Sequence, residues 1–87
     1  MKAFLTKDRL WEEAVVLEAP GRVLRIISCR DAVLCLRRYW LEDDHPTRQT
    51  ALDRCELVLH GLEDPAAARE SFLEAAMEAG FQINAWP

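Results

Sequence analysis

The sequence has no long apolar run and contains few glycines and serines. It has three glycines and two serines in 87 residues, and the serines, Ser28 and Ser71, are not in a Gly-x-Ser-x-Gly motif. No apolar run approaches the roughly 20 residues of a membrane-spanning helix. Charged residues in the first nine positions leave no room for a signal-peptide core. We therefore expect a cytoplasmic protein that does not contact a membrane.

Cysteine is also scarce and is present in an odd number. Cys29, Cys35 and Cys55 are separated by six and twenty residues, which builds neither a disulfide framework nor a Cys-x-x-Cys metal pair. The pattern predicts reduced, mostly buried thiols, and neither a metal nor another cofactor is expected. Cys29 also stands at a predicted helix start beside Arg30, a setting that would activate the thiol if it were exposed.

The composition is that of one globular domain. About half of the residues are apolar (51%) and 30% are charged, so a hydrophobic core can form, but the chain is too short for two cores. We expect a loosely ordered lead-in at residues 1–10 and a single domain at residues 11–87. The net charge of −4 makes nucleic acid an improbable partner of the domain as a whole.

Two alternating segments at residues 11–17 and 22–27 predict an antiparallel hairpin, with Val15 and Leu17 on one face and Val16 on the other. Pro20-Gly21 supplies the turn between them. Ser28 predicts the N-cap of a first helix, with Asp31 in the first turn. Its apolar stripe is Cys29, Ala32, Val33, Leu36 and Trp40.

Two further helices are indicated by their end signals. Pro46 suits the start of the second helix and Gly61 its stop, and the third runs from an Asp64 cap to Gly80. The tail at residues 81–87 could form a third strand or an extended segment. We predict an α+β fold, an antiparallel hairpin packed on three helices in the order β-β-α-α-α, with a possible C-terminal strand. The apolar stripes are Ala51, Leu52, Cys55, Val58, Leu59 and Leu62 in the second helix, and Ala68, Phe72, Ala75, Ala76 and Ala79 in the third.

A group of residues along the chain carries a resemblance to a known family: Arg25-Ile26-Ile27-Ser28, Arg30-Asp31-Ala32, Trp40, Pro46, Ala51-Leu52, Cys55, Gly61 and residues 68–80. Their order resembles the bacterial family called domain of unknown function 982. The resemblance covers roughly residues 11 to 83, and its last block is the most specific. It implies a small α+β fold and brings no established activity. The chain departs from the family pattern at Leu41-Glu42, where proline tends to follow the tryptophan, and at Arg48, where the family often has an aromatic residue.

The junction of the second strand and first helix is the first candidate site. Arg25, Ser28 and Arg30 surround a predicted helix N-terminus, where free N–H groups and two guanidinium groups could hold a phosphate or a carboxylate. The competing interpretation is an ordinary cap, with the arginines solvated or paired to Asp31 and nearby glutamates.

A second candidate is an interaction surface made of charged helix faces. Glu70, Glu74 and Glu78 follow at four-residue steps and repel one another, so they could face Arg37 and Arg38 of another subunit. A solvated acidic face is the alternative. Trp86 is the tryptophan that we expect to be most exposed, whereas Trp40 is expected in the core.

The remaining polar cluster, Asp43, Asp44 and His45, lacks the alternating ligands of a calcium loop and the partners of a zinc site, and we interpret it as a solvated connection. With no catalytic motif, we predict a non-enzymatic module that binds an unidentified protein partner, a homodimer being one form of that interaction. The alternative is a binder of a small anionic ligand or nucleic acid at the start of the first helix.

Overall fold

The structure, a computed structural model, describes residues 10–40 and 46–86, with side chains up to Asn84. The predicted lead-in, apart from Leu10, lies outside the described residues. So does the polar connection that contains Asp43, Asp44 and His45. In the described part of the chain, the order of elements is β-β-α-α-α-β, which confirms the predicted α+β class.

Three antiparallel strands form one sheet in the order β2-β1-β3. Strand β1 is Leu10–Ala19, β2 is Arg22–Ser28 and β3 is Gln82–Trp86. The turn between β1 and β2 places Gly21 at a φ of 73°, a conformation that glycine adopts without strain. The C-terminal tail forms the third strand, as the first of the two predicted alternatives. It pairs along β1 with Leu17 opposite Ile83 and Val16 opposite Asn84.

Three helices follow the hairpin: α1 is Cys29–Arg38, α2 is Pro46–Leu59 and α3 is Pro65–Ala79. Helix α2 packs against both α1 and α3, and α1 and α3 also contact each other. The predicted cap of α3 is present, since the Asp64 side chain accepts the N–H of Ala66 at 2.9 Å. At the other end Gly80 has a φ of 94°, and the N–H of Phe81 reaches back to the carbonyl of Ala76. In the described part of the chain, no helix is long and apolar enough to cross a membrane.

The helices cover one face of the sheet. Val15 and Leu17 of β1 are fully buried against them, whereas Val16 points to the other face and is half-buried. Two details differ from the predicted stripes. Helix α1 ends before Trp40 and buries Cys35 instead, and Leu62 is exposed because α2 ends at Leu59. The buried helix residues are Cys29, Ala32, Cys35 and Leu36 in α1, Ala51, Leu52, Cys55 and Val58 in α2, and Ala68, Phe72, Ala75, Ala76 and Ala79 in α3.

Phe72 is the largest fully buried side chain and lies at the centre of the core. Its ring is 5.7 Å from that of Trp11 in β1 and 5.6 Å from that of Trp40 beyond α1. Trp40 in turn lies 4.9 Å from Phe81, just before β3. This arrangement confirms that Trp40 packs in the core, and it connects elements that are distant in sequence.

We expect Phe72→Ala to lower the free energy of unfolding by about 3–5 kcal/mol, because it removes a buried ring and leaves a cavity between two aromatic neighbours. Met77 lies in the same helix but is 63% exposed, so Met77→Ala should change the stability by less than about 0.5 kcal/mol. Urea unfolding followed by circular dichroism measures both changes. Equal effects of the two substitutions would contradict the central role of Phe72.

Candidate functional site

The N-terminus of α1 is capped by its own side chains. The Ser28 hydroxyl accepts the N–H of Asp31 at 3.2 Å, and the Asp31 carboxylate accepts the N–H of Ile27, also at 3.2 Å. Ser28 is buried. The negative charge that a helix N-terminus favours is therefore supplied by Asp31, so an incoming anion would meet a carboxylate at this position.

The two arginines of the predicted anion site lie on different surfaces. Arg25 is exposed on the sheet face away from the helices, opposite Val16 in the register of β1 and β2. Arg30 is exposed in the first turn of α1, and Ser28 lies between them on the buried side. The three residues thus lie on the sheet face away from the helices, at the buried junction and on the exposed first turn of α1, respectively.

All three cysteines are buried thiols. Burial raises the pKa of Cys35 to about 12. A hydrogen bond with Cys29 and burial together raise the pKa of Cys55 well above its usual range. Because the thiolate is the nucleophile and the thiols of Cys35 and Cys55 stay protonated, the contact between Cys29 and Cys55 serves packing. The activated Cys29 that the sequence allowed would need an exposed side chain, and Cys29 has none of its surface exposed.

Two open concavities flank the beginning of β1. The larger, about 890 Å³, lies between β1 and the start of α3. Among the described residues of its lining the one cation is Arg69, which donates to the carbonyl oxygen of Glu13 at 3.1 Å. The acidic groups of the lining are Glu12, Glu13, Asp64 and Glu70. Among the described residues no cluster of three His, Cys, Asp or Glu side chains is arranged to hold a metal ion.

The smaller concavity, about 470 Å³, lies on the sheet face away from the helices. We call this face the open sheet face: Ala14, Val16 and Glu18 of β1, Val23, Arg25 and Ile27 of β2, and Gln82 and Asn84 of β3. No other element covers it within the part of the chain that the structure describes. Its centre is apolar and its margin is polar, with Asn84 donating to Glu18 at 2.9 Å.

The charged helix faces are only partly available to a partner. Arg37 pairs with Glu56 of α2 at 2.8 Å, and Glu78 accepts a hydrogen bond from Thr47 of α2. Glu70, Glu74 and Arg38 are exposed. Trp86 pairs in register with Ala14, and its side chain lies outside the described ones.

Sequence reasoning missed the apolar members of these surfaces. Val23 is 68% exposed, Met77 63% and Leu34 48%. The signal for Leu34 and Met77 was their position on the side of each helix opposite the buried stripe. For Val23 and Val16 the strand alternation assigned the face, but it did not show that the face stays uncovered.

Comparison with known proteins identifies a family and nothing more specific. The sequence profile of the family described as "Protein of unknown function (DUF982)" matches residues 13–83. No curated protein and no solved structure matches the chain.

We expect Ser28→Ala to lower the free energy of unfolding by about 1 kcal/mol, because it removes the acceptor for the Asp31 N–H at the start of α1. Ser71→Ala is the matched control, since Ser71 lies inside α3, where alanine is a better helix former. Thermal unfolding of the two variants measures the difference. A Ser28→Ala protein as stable as the Ser71→Ala protein would show that the cap contributes nothing.

We also expect the stability to fall at alkaline pH. A thiol whose pKa is raised on folding favours the folded state below the unfolded pKa of about 9, and this contribution is lost as the pH rises toward about 12. Between pH 9 and 11, the free energy of unfolding should therefore fall more steeply for the wild type than for Cys35→Ala. Urea titrations at several pH values measure this. Parallel pH profiles would contradict it.

Proposed function

We propose that this chain, which belongs to the family described as protein of unknown function (DUF982), is a non-enzymatic protein-interaction module. The family description itself assigns no activity. The observation that carries the proposal is the open sheet face. A sheet with helices on one side only leaves the side chains of its second face for solvent or for a partner. Here that face presents apolar residues where solvent-facing strands usually carry polar ones.

The composition of the open sheet face supports a protein partner of defined chemistry. Val16, Ile27 and Ala14 form its apolar centre, and Val23 extends the apolar surface toward the turn. Arg25 is exposed beside them and has no ion pair among the described residues. An apolar centre with a polar margin is the usual anatomy of a protein interface. The complementary partner is an apolar protein surface that carries a carboxylate opposite Arg25.

The state of the nucleophilic side chains supports a non-enzymatic role. Ser28 is buried as a helix cap, the thiols of Cys29, Cys35 and Cys55 are buried, and burial raises the pKa of Cys35 and Cys55. None of them is presented to a substrate.

The anion-binding alternative receives less support from the same contacts. The Asp31 carboxylate occupies the start of α1 and would repel a phosphate, and Arg25 and Arg30 lie on separate surfaces. A cytoplasmic location is part of the proposal, because buried cysteines that remain thiols suit a reducing compartment.

We expect the double variant Val23→Glu/Arg25→Glu to lose the partner while remaining folded, because both side chains are exposed on the open sheet face. It replaces apolar surface by charge and reverses the charge of the arginine. The full chain is used to capture proteins from a lysate of its native cells. The captured protein is then purified, and its affinity for each variant is measured by titration calorimetry, with a loss of at least about tenfold expected.

The matched control is Arg54→Glu/Leu62→Glu, which changes the net charge equally at exposed positions on the helical side. It should bind the partner like the wild type, and circular dichroism checks that both variants are folded. Equal binding by the wild type and the sheet-face variant would overturn the proposal. So would a wild-type protein that captures no partner above the background of an empty support.

A further inference from the structure

Strand β2 has backbone groups that face away from the rest of the sheet. Within the part of the chain that the structure describes, β2 has a neighbouring strand on one side only. Successive residues of an antiparallel strand direct their N–H and C=O groups alternately to its two sides. The Ile27 N–H is directed away from β1, since it donates to the Asp31 carboxylate at 3.2 Å. Val23 and Arg25 lie four and two residues earlier, so their backbone groups face the same way.

The hairpin turn gives the same assignment. Ala19 and Arg22 flank a two-residue turn and pair with each other, a position at which two strands exchange backbone hydrogen bonds. Every second residue from Arg22 onward therefore bonds to β1, and Val23 and Arg25 fall between them. Their N–H and C=O groups have no partner among the described residues. An uncovered edge of this kind is a template for another strand.

The side chains of β2 give this edge a positive charge. The strand carries Arg22 and Arg25, both exposed, and no acidic residue. The other edge strand of the sheet, β3, has no charged residue. On the helix side of β2, Leu24 packs against the core but is only half-buried. A segment beside β2 would therefore meet a cation on the open sheet face and an apolar side chain on the helix side.

We propose that the partner of the open sheet face presents an extended acidic segment, which adds to the sheet as a fourth, antiparallel strand beside β2. Its backbone pairs with Val23 and Arg25, and one of its carboxylates lies opposite the Arg25 guanidinium. The next side chain of the segment is apolar and covers Leu24. The pairing ends at Ile27, because Asp31 already accepts that N–H. Main-chain hydrogen bonds then supply affinity and alternate side chains supply specificity. Strand addition rests on the proposed function, because it describes the partner at the same surface.

The first test uses a short synthetic peptide in which valine and glutamate alternate. In an extended chain its glutamates lie on one side and its valines on the other. When this peptide binds, the amide hydrogens of Val23 and Arg25 should exchange with solvent at least about tenfold more slowly, as measured by NMR. Residues directly opposite each other in an antiparallel pair share a face, so the glutamate N–H groups are the ones that point to β2.

Two methylated forms of the peptide are matched controls for each other. Methylation of the glutamate backbone nitrogens removes the donors that face β2, and it should abolish binding. Methylation of the valine nitrogens removes the donors on the outer side and should leave binding in place. Equal binding of the two forms would overturn the proposal, as would a parent peptide that does not bind at millimolar concentration.

The second test removes one donor from the chain itself. Val23→Pro eliminates an outward N–H, and proline is tolerated in an edge strand where that N–H faces solvent. The variant should bind the peptide at least about tenfold more weakly. Val23→Ala is the control, since it shortens the side chain but keeps the N–H, and it should bind nearly as the wild type does. Thermal unfolding confirms that both variants are folded, and the hydrogen-exchange measurement on the wild type stands without them.

The protein captured through the open sheet face is then titrated with the same variants. Weaker binding by Val23→Pro than by Val23→Ala is the expected result. If Val23→Glu/Arg25→Glu loses that protein and Val23→Pro retains it, the proposed function stands and strand addition is wrong. If the wild type captures no protein but binds the alternating peptide through the Val23 and Arg25 amides, the proposed function alone is overturned.

Discussion

The packing of Phe72 is the contact on which the rest of this structure depends. A single side chain of α3 contacts Trp11 from the first strand and Trp40 from beyond the first helix, and Trp40 contacts Phe81 ahead of the last strand. In a chain of 87 residues the core is small, so one aromatic cluster accounts for a large share of the buried surface. The indole N–H groups of Trp11 and Trp40 are buried without an acceptor in the described part of the chain. The cluster therefore stabilises the fold in spite of a polar cost.

The helix layer forms around that cluster because the buried side of α3 is otherwise small. Alanines at 68, 75, 76 and 79 let α3 approach α2 and the sheet closely. At the other side of the layer, Arg48 of α2 donates to the carbonyl of Leu36 at 2.9 Å, which satisfies one of the carbonyls left free in the last turn of α1. Helices α1 and α3 thereby pack on one face of the sheet, with α2 packed on both of them. The other face of the sheet and the outer helix sides are left as the surfaces that can bind a partner.

Local signals predicted most of the fold because they act within a few residues. Ser28, Asp64, Pro65 and Gly80 each act through backbone groups within one turn of a helix, and the structure has all four in the predicted roles. The pairing of the tail was not predictable in the same way. Its alternation suited a strand, but whether β3 joined β1 or stayed apart depended on the space beside β1. Helix α1 illustrates a further limit, since its stripe continued to Trp40 although the helix ends at Arg38 and the ring packs from outside it.

The candidate surfaces also combine features that the sequence predicts with features that only the tertiary structure shows. Residue types and spacing determined the α+β class, the charge lines on the helices and the buried thiols, because these follow from the period of an element and from its end signals. Only the tertiary structure decided that Arg37 and Glu78 are engaged with α2 while Arg38, Glu70 and Glu74 are exposed. It also placed Arg25 and Arg30 on separate surfaces. The side of an element that stays exposed depends on which neighbours cover it, and those neighbours lie far away in the sequence.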